Sequence, residues 1–253
     1  MLLREDDRGV LAIGQPSHAW VSGQLARAWG NEQFGGVEPL AEVCLGADQH
    51  DVGWMELDID PAYNPETGLP YSFMETPLDA HLRLWNEGTR RLLSQSRYAT
   101  WLVSRHGSRL YERRDLSKLS AEDADAVRRF LDEQRALRQE LAVSLGANEE
   151  QLERNSRLIW TWDYLSLALC LDWDPATARG APSADGQVDI TVESAPGGRV
   201  HLDPWPLADP ELTVRAEGRR LAGPFESEQE MRRSFAAAPW EMLELRLEPK
   251  RDP

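Results

Sequence analysis

The sequence predicts a mainly α-helical protein: a bundle of five to seven helices with a short N-terminal hairpin and a small C-terminal antiparallel β element. Between residues 16 and 173, apolar side chains recur at the three- and four-residue spacing of helices that bury one face. After residue 186, short stretches alternate between apolar and polar residues, which is typical of half-buried strands. We therefore expect a helical domain over residues 1–175 and a β-rich subdomain over residues 186–253 packed on it.

The first 30 residues are expected to form a hairpin and then a helix. Residues 2–4 and 10–13 are short apolar strands on either side of a turn-forming Asp-Asp-Arg-Gly segment. Pro16 and Ser17 give a helix start signal. His18 lies on the apolar face of the helix that follows.

The second helix is expected over residues 38–54 and contains a histidine directly beside an aspartate. The apolar stripe of this helix turns both side chains, His50 and Asp51, inward. Imidazole nitrogen and carboxylate oxygen together suit divalent metals such as Zn, Fe, Mn or Mg. Such a pair also arises by chance in many chains, so its meaning depends on where the other histidines lie.

Residues 58–77 lack periodicity and predict a long loop directly after this pair. The segment is rich in Pro, Gly, Asn and Asp and contains Tyr63, Tyr71 and Phe73. Loops of this length are often functional covers, and a plain surface crossing is the alternative. If the loop is a cover, we expect these aromatic side chains to contact a substrate.

Two further helices, over residues 78–96 and 98–114, each carry a histidine on the apolar stripe, His81 and His106 respectively. Residues 120–146 then form an amphipathic helix without an inward histidine and predict a structural strut.

The last long helix is expected over residues 149–173 and places Asp163 in an otherwise uncharged run. A carboxylate there is costly unless it is paired, hydrogen-bonded or bound to metal. The β element follows, and we predict its strands at residues 188–192, 199–202, 212–216 and 243–247, with one short helix over residues 226–238.

Composition restricts the compartment and the class of partner. A formal net charge of −15 would repel the phosphate backbone of nucleic acids. No membrane-length apolar run or signal-peptide order is present, and Cys44 and Cys170 suit buried thiols in a reducing compartment. We expect a cytoplasmic protein that binds a small molecule and contacts neither nucleic acid nor membrane; the oligomeric state stays open.

Four of the five histidines and two aspartates thus face inward on five separate predicted helices. In chain order these residues are His18, His50, Asp51, His81, His106 and Asp163. A single histidine on an apolar face is usually a hydrogen-bonded core residue. Six such groups in one core would demand many separate partners, whereas a shared metal centre satisfies them together. We therefore predict that they bind one or two divalent metal ions.

The order His, His-Asp, His, His, Asp on successive helices resembles the HD-domain superfamily of metal-dependent phosphohydrolases, in its larger ligand set that supports two metals. The resemblance covers residues 16–173 and lies in the order and helix placement of the ligands. Residues 49–54, 67–73 and 104–106 also resemble a bacterial family of unknown function.

This resemblance implies an HD-like helical bundle and a role for each ligand. It assigns the first metal to His18, His50, Asp51 and Asp163, with Asp51 bridging to a second metal held by His81 and His106. The assignment of His81 as a ligand rests on helix phase alone. A mononuclear site formed by His18, His50, Asp51 and Asp163 is therefore the alternative.

The basic residue that follows the His-Asp pair in some hydrolases of the superfamily is missing, because Val52 and Gly53 follow here. Arg109, one turn past His106, is the nearest candidate for an anion contact, and an exposed helical arginine is the alternative.

The resemblance implies a metal-dependent hydrolase of a small phosphoester, in which Asp51 bridges and orients the metals. Arg109 is the candidate for the anion contact from its position alone. Two cations about 3.5–4 Å apart lower the pKa of a shared water and stabilise charge on a phosphoryl oxygen. Because some superfamily members hold two irons in this ligand set and oxidise a substrate with O₂, a diiron oxygenase is the first alternative. A non-catalytic, metal-stabilised binding module is the second.

Overall fold

The computed structural model describes residues 1–250. Its helices are α1 (Gln15–Ala28), α2 (Leu40–Gln49), α3 (Met55–Ile59), α4 (Leu78–Leu93), α5 (Arg97–Glu112), α6 (Ala121–Leu145), α7 (Glu149–Leu171) and α8 (Glu228–Ala237). Its strands are β1 (Leu2–Asp6), β2 (Gly9–Ile13), β3 (Tyr63–Asn64), β4 (Leu69–Pro70), β5 (Ala176–Ser183), β6 (Gly186–Ala195), β7 (Arg199–Asp203), β8 (Leu212–Leu221) and β9 (Trp240–Pro249).

Seven of the strands form one mixed sheet, and the prediction of a mainly α, all-α HD-like bundle with only a small β element is therefore wrong. The strand order is β1-β2-β8-β9-β7-β6-β5, and the sheet is curled. Neighbouring strands are antiparallel except β7 and β9, which run parallel. The N-terminal hairpin forms where it was predicted, but it belongs to this sheet.

Two features of the sequence hide this sheet. The N-terminal hairpin joins the C-terminal strands through β2 and β8, where Val10 pairs with Leu221, and local patterns do not reveal a pairing so distant along the chain. The edge strand β5 contains Gly and Pro and resembles a loop. Its inward side chains are the small residues Ala176, Ala178 and Ala181, all of which are buried.

The sheet supports the helices that carry the inward histidines and aspartates. Leu25 of α1 and Leu165 of α7 belong to the same hydrophobic core as Val214 and Leu247 of the sheet. Arg4 of β1 also donates a hydrogen bond of 3.0 Å to the carbonyl oxygen of Leu169. The apolar faces of α1 and α7 are therefore fixed against the sheet.

Two glycines allow close approaches beside the candidate site. After α2 the chain makes a 3₁₀ turn over Val52–Trp54, and a Cβ on Gly53 would lie 2.0 Å from the carbonyl oxygen of Leu84 in α4. A Cβ on Gly107 of α5 would lie 2.8 Å from the ring of Trp85. A larger residue at either position would push α4 away from its neighbours.

Both cysteines, Cys44 and Cys170, are buried and free. Within residues 1–250, none of the helices combines the length and apolar character that a membrane crossing requires.

Candidate metal centre

Three of the predicted ligands converge in the helical half of the molecule. One ligand atom each from His18, His50 and Asp163 lie within 4.8 Å of one another. His18 comes from α1, His50 follows the last residue of α2, and Asp163 lies in the middle of α7. Both imidazoles are buried, and Asp163 is only partly exposed.

Asp51 brings a second carboxylate to the same place. Its Oδ2 lies 2.7 Å from His18 Nε2 and 3.6 Å from His50 Nε2. On the other side, Asp163 Oδ1 lies 3.3 Å from His50 Nε2 and 3.9 Å from His18 Nε2. Two imidazole nitrogens thus face two carboxylates, and we call these four residues the floor cluster.

A hydroxyl network fixes which nitrogen of His18 faces this cluster. Ser166 Oγ donates its single proton to the carbonyl oxygen of Asp163 at 2.8 Å, and it accepts a hydrogen bond from Ser22 Oγ at 2.9 Å. Because that proton is used, Ser166 Oγ accepts from the Nδ1–H of His18, 2.8 Å away. Nε2 of His18 is therefore the nitrogen directed at the two carboxylates.

His50 is held in the same way by its own helix. Its Nδ1–H donates to the carbonyl oxygen of Ala47 at 2.8 Å. Its Nε2 is buried and has no hydrogen-bond partner within residues 1–250, although two carboxylates lie nearby. A histidine that donates one N–H to a carbonyl and directs its free nitrogen at carboxylates has the orientation of a metal ligand.

The imidazoles and carboxylates of the floor cluster shift each other's pKa values. Burial alone would lower the pKa of His50, but the carboxylates of Asp51 and Asp163 outweigh burial and raise the pKa to about 9. Burial would raise the pKa of Asp163, yet the nearby imidazoles, that of His50 first, lower it to about 2. The pKa of Asp51 is also lowered, because its attraction to His50 and His18 outweighs burial. The site thus favours two carboxylates balanced by positive charge.

His106 lies beside the floor cluster. Its Nε2 is 3.6 Å from Asp163 Oδ2, and its ring packs against those of His50, Trp85 and Trp160. Its Nδ1 is buried and has no hydrogen-bond partner in the described part of the chain. Burial lowers the pKa of His106 to about 4, so its imidazole is neutral at pH 7.

His81 lies apart from the floor cluster, in the wall of the cavity. Its Nδ1 is hydrogen-bonded to the Tyr111 hydroxyl, and its ring packs against Trp54 and Trp85. Burial lowers its pKa to about 4. The structure therefore places His81 among aromatic partners, and it does not belong to the group of three side chains that could hold a metal ion.

The floor cluster opens into a cavity of about 330 Å³. His18, Asp51 and Asp163 lie at its buried end, and Trp54 and Trp85 line its wall. The exposed Met74 and its neighbour Phe73 line it on the loop side. Of the other loop aromatics, Tyr63 donates a hydrogen bond to the carbonyl oxygen of Phe225, and Tyr71 does not line the cavity.

The arginine that reaches the cavity is not Arg109. The guanidinium of Arg109 lies over the Trp160 ring, 5.6 Å from its centroid, and 3.6 Å from Glu153. Arg114 lines the cavity instead. Helical spacing could have identified it, because His106, Leu110 and Arg114 follow at intervals of four residues, although α5 itself ends two residues before Arg114.

A protein-family model described as "Protein of unknown function (DUF3891)" matches residues 1–223. The matched segment contains every site residue discussed above and lacks α8 and β9. No curated protein and no solved structure matches the chain.

Proposed function

The chain belongs to the DUF3891 family of unknown function, and from its site we propose that it is a metal-dependent hydrolase of a small phosphoester. The metal-binding residues are His18, His50, Asp51 and Asp163, which hold one divalent ion. The substrate enters the cavity above them.

The observation that carries this proposal is the environment of His50 Nε2. This buried nitrogen lacks a hydrogen-bond partner within residues 1–250 and lies 3.3 and 3.6 Å from two carboxylate oxygens. Ligands that each lie about 2.0–2.2 Å from one ion are themselves about 3 to 3.5 Å apart. Two histidines and two aspartates form a donor set that suits Zn, Fe or Mn. The residues therefore fit a metal.

When bound, a divalent ion lowers the pKa of a coordinated water and neutralises charge on a phosphoryl oxygen. The chain contributes orientation: Ser166 and the Ala47 carbonyl hold the two imidazoles with Nε2 directed at the floor. Trp54 and Trp85 surround the reacting end with apolar surface, which excludes water and strengthens electrostatic interactions there.

The ligand order supports the resemblance to the HD-domain superfamily. His18 on α1, the pair after α2 and Asp163 on α7 follow the chain order of that ligand set, with His81 on α4 and His106 on α5 between them. The seven-stranded sheet is not part of this resemblance.

A diiron oxygenase is the second candidate, and the position of His106 favours it. His106 Nε2 lies 3.6 Å from the second oxygen of Asp163, so Asp163 has one oxygen near His50 and the other near His106. Asp163 and His106 would hold a second ion there, and two irons would supply the chemistry that activates O₂. The tryptophan-lined cavity is compatible with O₂ chemistry.

The deciding experiment loads metal-free protein with Zn, Mn or Fe. It then follows phosphate release from small phosphomonoesters and alcohol release from small phosphodiesters, together with O₂ consumption. We expect phosphate release with the redox-inert Zn, loss of this activity in Asp51→Asn, and full activity in Asp132→Asn, which changes an exposed carboxylate on α6. Substrate-dependent O₂ uptake that requires iron, without phosphate release, would establish the oxygenase instead.

The same proposal includes a small-molecule substrate in a cytoplasmic setting, without nucleic-acid partners. The net charge of −15 and the two free, buried cysteines support this part of it.

A further inference from the structure

Arg114 is the one lysine or arginine among the cavity-lining residues of the described chain. Arg114 is exposed, and it forms no ion pair with a carboxylate within 4 Å in residues 1–250. Two other arginines of α5 are paired instead: Arg105 lies 2.9 Å and Arg109 lies 3.6 Å from Glu153. In a protein with a net charge of −15, an arginine left without an acidic partner at a cavity is available for an anionic ligand.

Two polar side chains line the cavity beside Arg114. Tyr111, one turn before it, also lines the cavity and hydrogen-bonds to His81 Nδ1. Burial keeps the His81 imidazole neutral and the Tyr111 phenol protonated by lowering the pKa of the first and raising that of the second. Arg114 therefore supplies the positive charge at this end of the cavity, beside two groups that can form hydrogen bonds.

Aromatic rings connect this end of the cavity to the floor cluster. The His81 ring centroid lies 5.8 Å from that of Tyr111 and 6.2 Å from that of Trp85. Trp85 is 5.4 Å from His106, which is 5.1 Å from His50. A series of edge-packed and tilted rings thus runs from the floor cluster to the Arg114 end of the cavity, and this surface suits an uncharged part of a ligand.

We propose that Arg114 binds a second anionic group of the substrate, at the end opposite the metal. The substrate class is a small phosphoester that carries a further carboxylate or phosphate, joined through a short uncharged body that packs on Trp54 and Trp85. This inference rests on the proposed hydrolase function. The cavity volume of about 330 Å³ is at the lower end for small-molecule sites, which limits the body to a few atoms or a single ring.

The geometry gives each charge of such a substrate its own partner. The reacting phosphoester lies at the floor, where a metal would balance it, and Asp51 and Asp163 leave no place there for another anion. A guanidinium binds carboxylate or phosphate through two parallel N–H donors, so Arg114 fixes the distance between the two anionic groups as well as their charge. This distance is the source of specificity that the floor alone does not provide.

The test uses two non-hydrolysable probes, phenylphosphonate and 4-carboxyphenylphosphonate, with the full-length protein loaded with Mn²⁺. Isothermal titration calorimetry measures Kd for wild type, Arg114→Gln and Arg113→Gln. Arg113 is a matched control because it is the adjacent exposed arginine and does not line the cavity. We expect the carboxylated probe to bind wild type and Arg113→Gln about tenfold more tightly than the plain probe, and Arg114→Gln to bind both equally.

Equal affinities in wild type, a preference that survives Arg114→Gln, or no binding of either probe would each overturn the inference. Its failure is distinguishable from failure of the hydrolase proposal, because turnover of simple phosphoesters is measured separately. Turnover with equal probe affinities would remove only the role of Arg114. An Arg114-dependent preference without any turnover would leave the anion site in place and remove the hydrolase.

Discussion

The floor cluster buries polar and charged side chains, whereas the sheet buries apolar ones. At the floor, two imidazoles and two carboxylates lie within a few ångströms of each other, away from bulk water. In the sheet, Val214, Leu245 and Leu247 are buried, whereas the charged residues of the same strands form exposed pairs such as Arg215 with Glu244. Buried charge costs free energy that apolar burial does not. The concentration of buried charge at one place in the helical half is therefore the reason to propose a functional site there. The apolar packing of the sheet is typical of an element that supports the helices.

The largest effect that would sharpen this comparison is loss of metal from the floor. Asp163→Asn removes the negative charge that faces both His50 and His106. We expect the metal content to fall from about one ion per chain to none, with affinity lowered by more than about 100-fold. Elemental analysis of protein purified without chelators measures this.

Asp132→Asn on α6 is the matched control, because it removes an equal charge from an exposed position. Unchanged metal content in Asp163→Asn, or wild-type protein that holds no metal at any loading, would mean that the floor cluster is a structural polar core.

The second prediction concerns the sheet. Leu247 of β9 is fully buried and pairs with Leu212 of β8 and with Val200 of β7. Leu247→Ala leaves a cavity there and is expected to lower the free energy of unfolding by about 2–5 kcal/mol, measured by urea denaturation. Metal affinity of the folded protein should stay within about twofold of wild type.

Val143→Ala is the control for this change, because Val143 on α6 is 85% exposed and its truncation should be nearly neutral. A large drop in metal affinity with Leu247→Ala would show that the sheet sets the geometry of the floor directly, and the comparison between a supporting and a functional region would fail.

The difference between the two regions also explains what the sequence could predict. The inward histidines and aspartates follow helical periodicity within single helices, so a local pattern suffices to place His18 and Asp163 on buried faces. The sheet depends on pairings between distant strands. β9 lies between β8 and β7 although it is the last strand along the chain, and it lies beyond the segment that the family model matches.

At the candidate site, helix phase also has a limit. It turns His81 inward correctly, but it does not show that the Tyr111 hydroxyl occupies Nδ1 of that imidazole. Arg109 and Arg114 lie little more than one helical turn apart in sequence. Arg109 nevertheless pairs with Glu153 and packs over the Trp160 ring, away from the cavity. Such competition between neighbours on other helices is invisible in a single periodic stretch.

The third prediction tests whether the metal centre extends from the floor to the wall. His81→Gln removes an imidazole that lies among Trp54, Trp85 and Tyr111. We expect it to leave about one metal ion per chain with affinity within about threefold of wild type, whereas His50→Gln should abolish binding. Elemental analysis and a competition assay with a chromophoric chelator measure both. A fall from two ions to one in His81→Gln would establish a second metal that includes His81.

The smallest expected effect lies in a partly exposed ion pair of the sheet. Glu241 of β9 accepts two hydrogen bonds from Arg220, of 2.9 and 3.0 Å, and its pKa is lowered, first by these hydrogen bonds and further by Arg8. A carboxylate whose pKa is lowered in the folded state stabilises the fold above its ordinary pKa, and this contribution is lost as the pH falls towards the lowered value. Glu241→Gln should therefore reduce the free energy of unfolding by at most about 1 kcal/mol at pH 7, and by less in 1 M NaCl. Urea denaturation as a function of pH measures this difference, which should vanish once Glu241 is protonated in the folded protein. The contrary result is that Glu241→Gln destabilises the protein as much as Leu247→Ala, and equally at high salt. The charges of the sheet would then contribute to stability as strongly as its apolar core, and the sheet would differ less from the floor cluster than burial indicates.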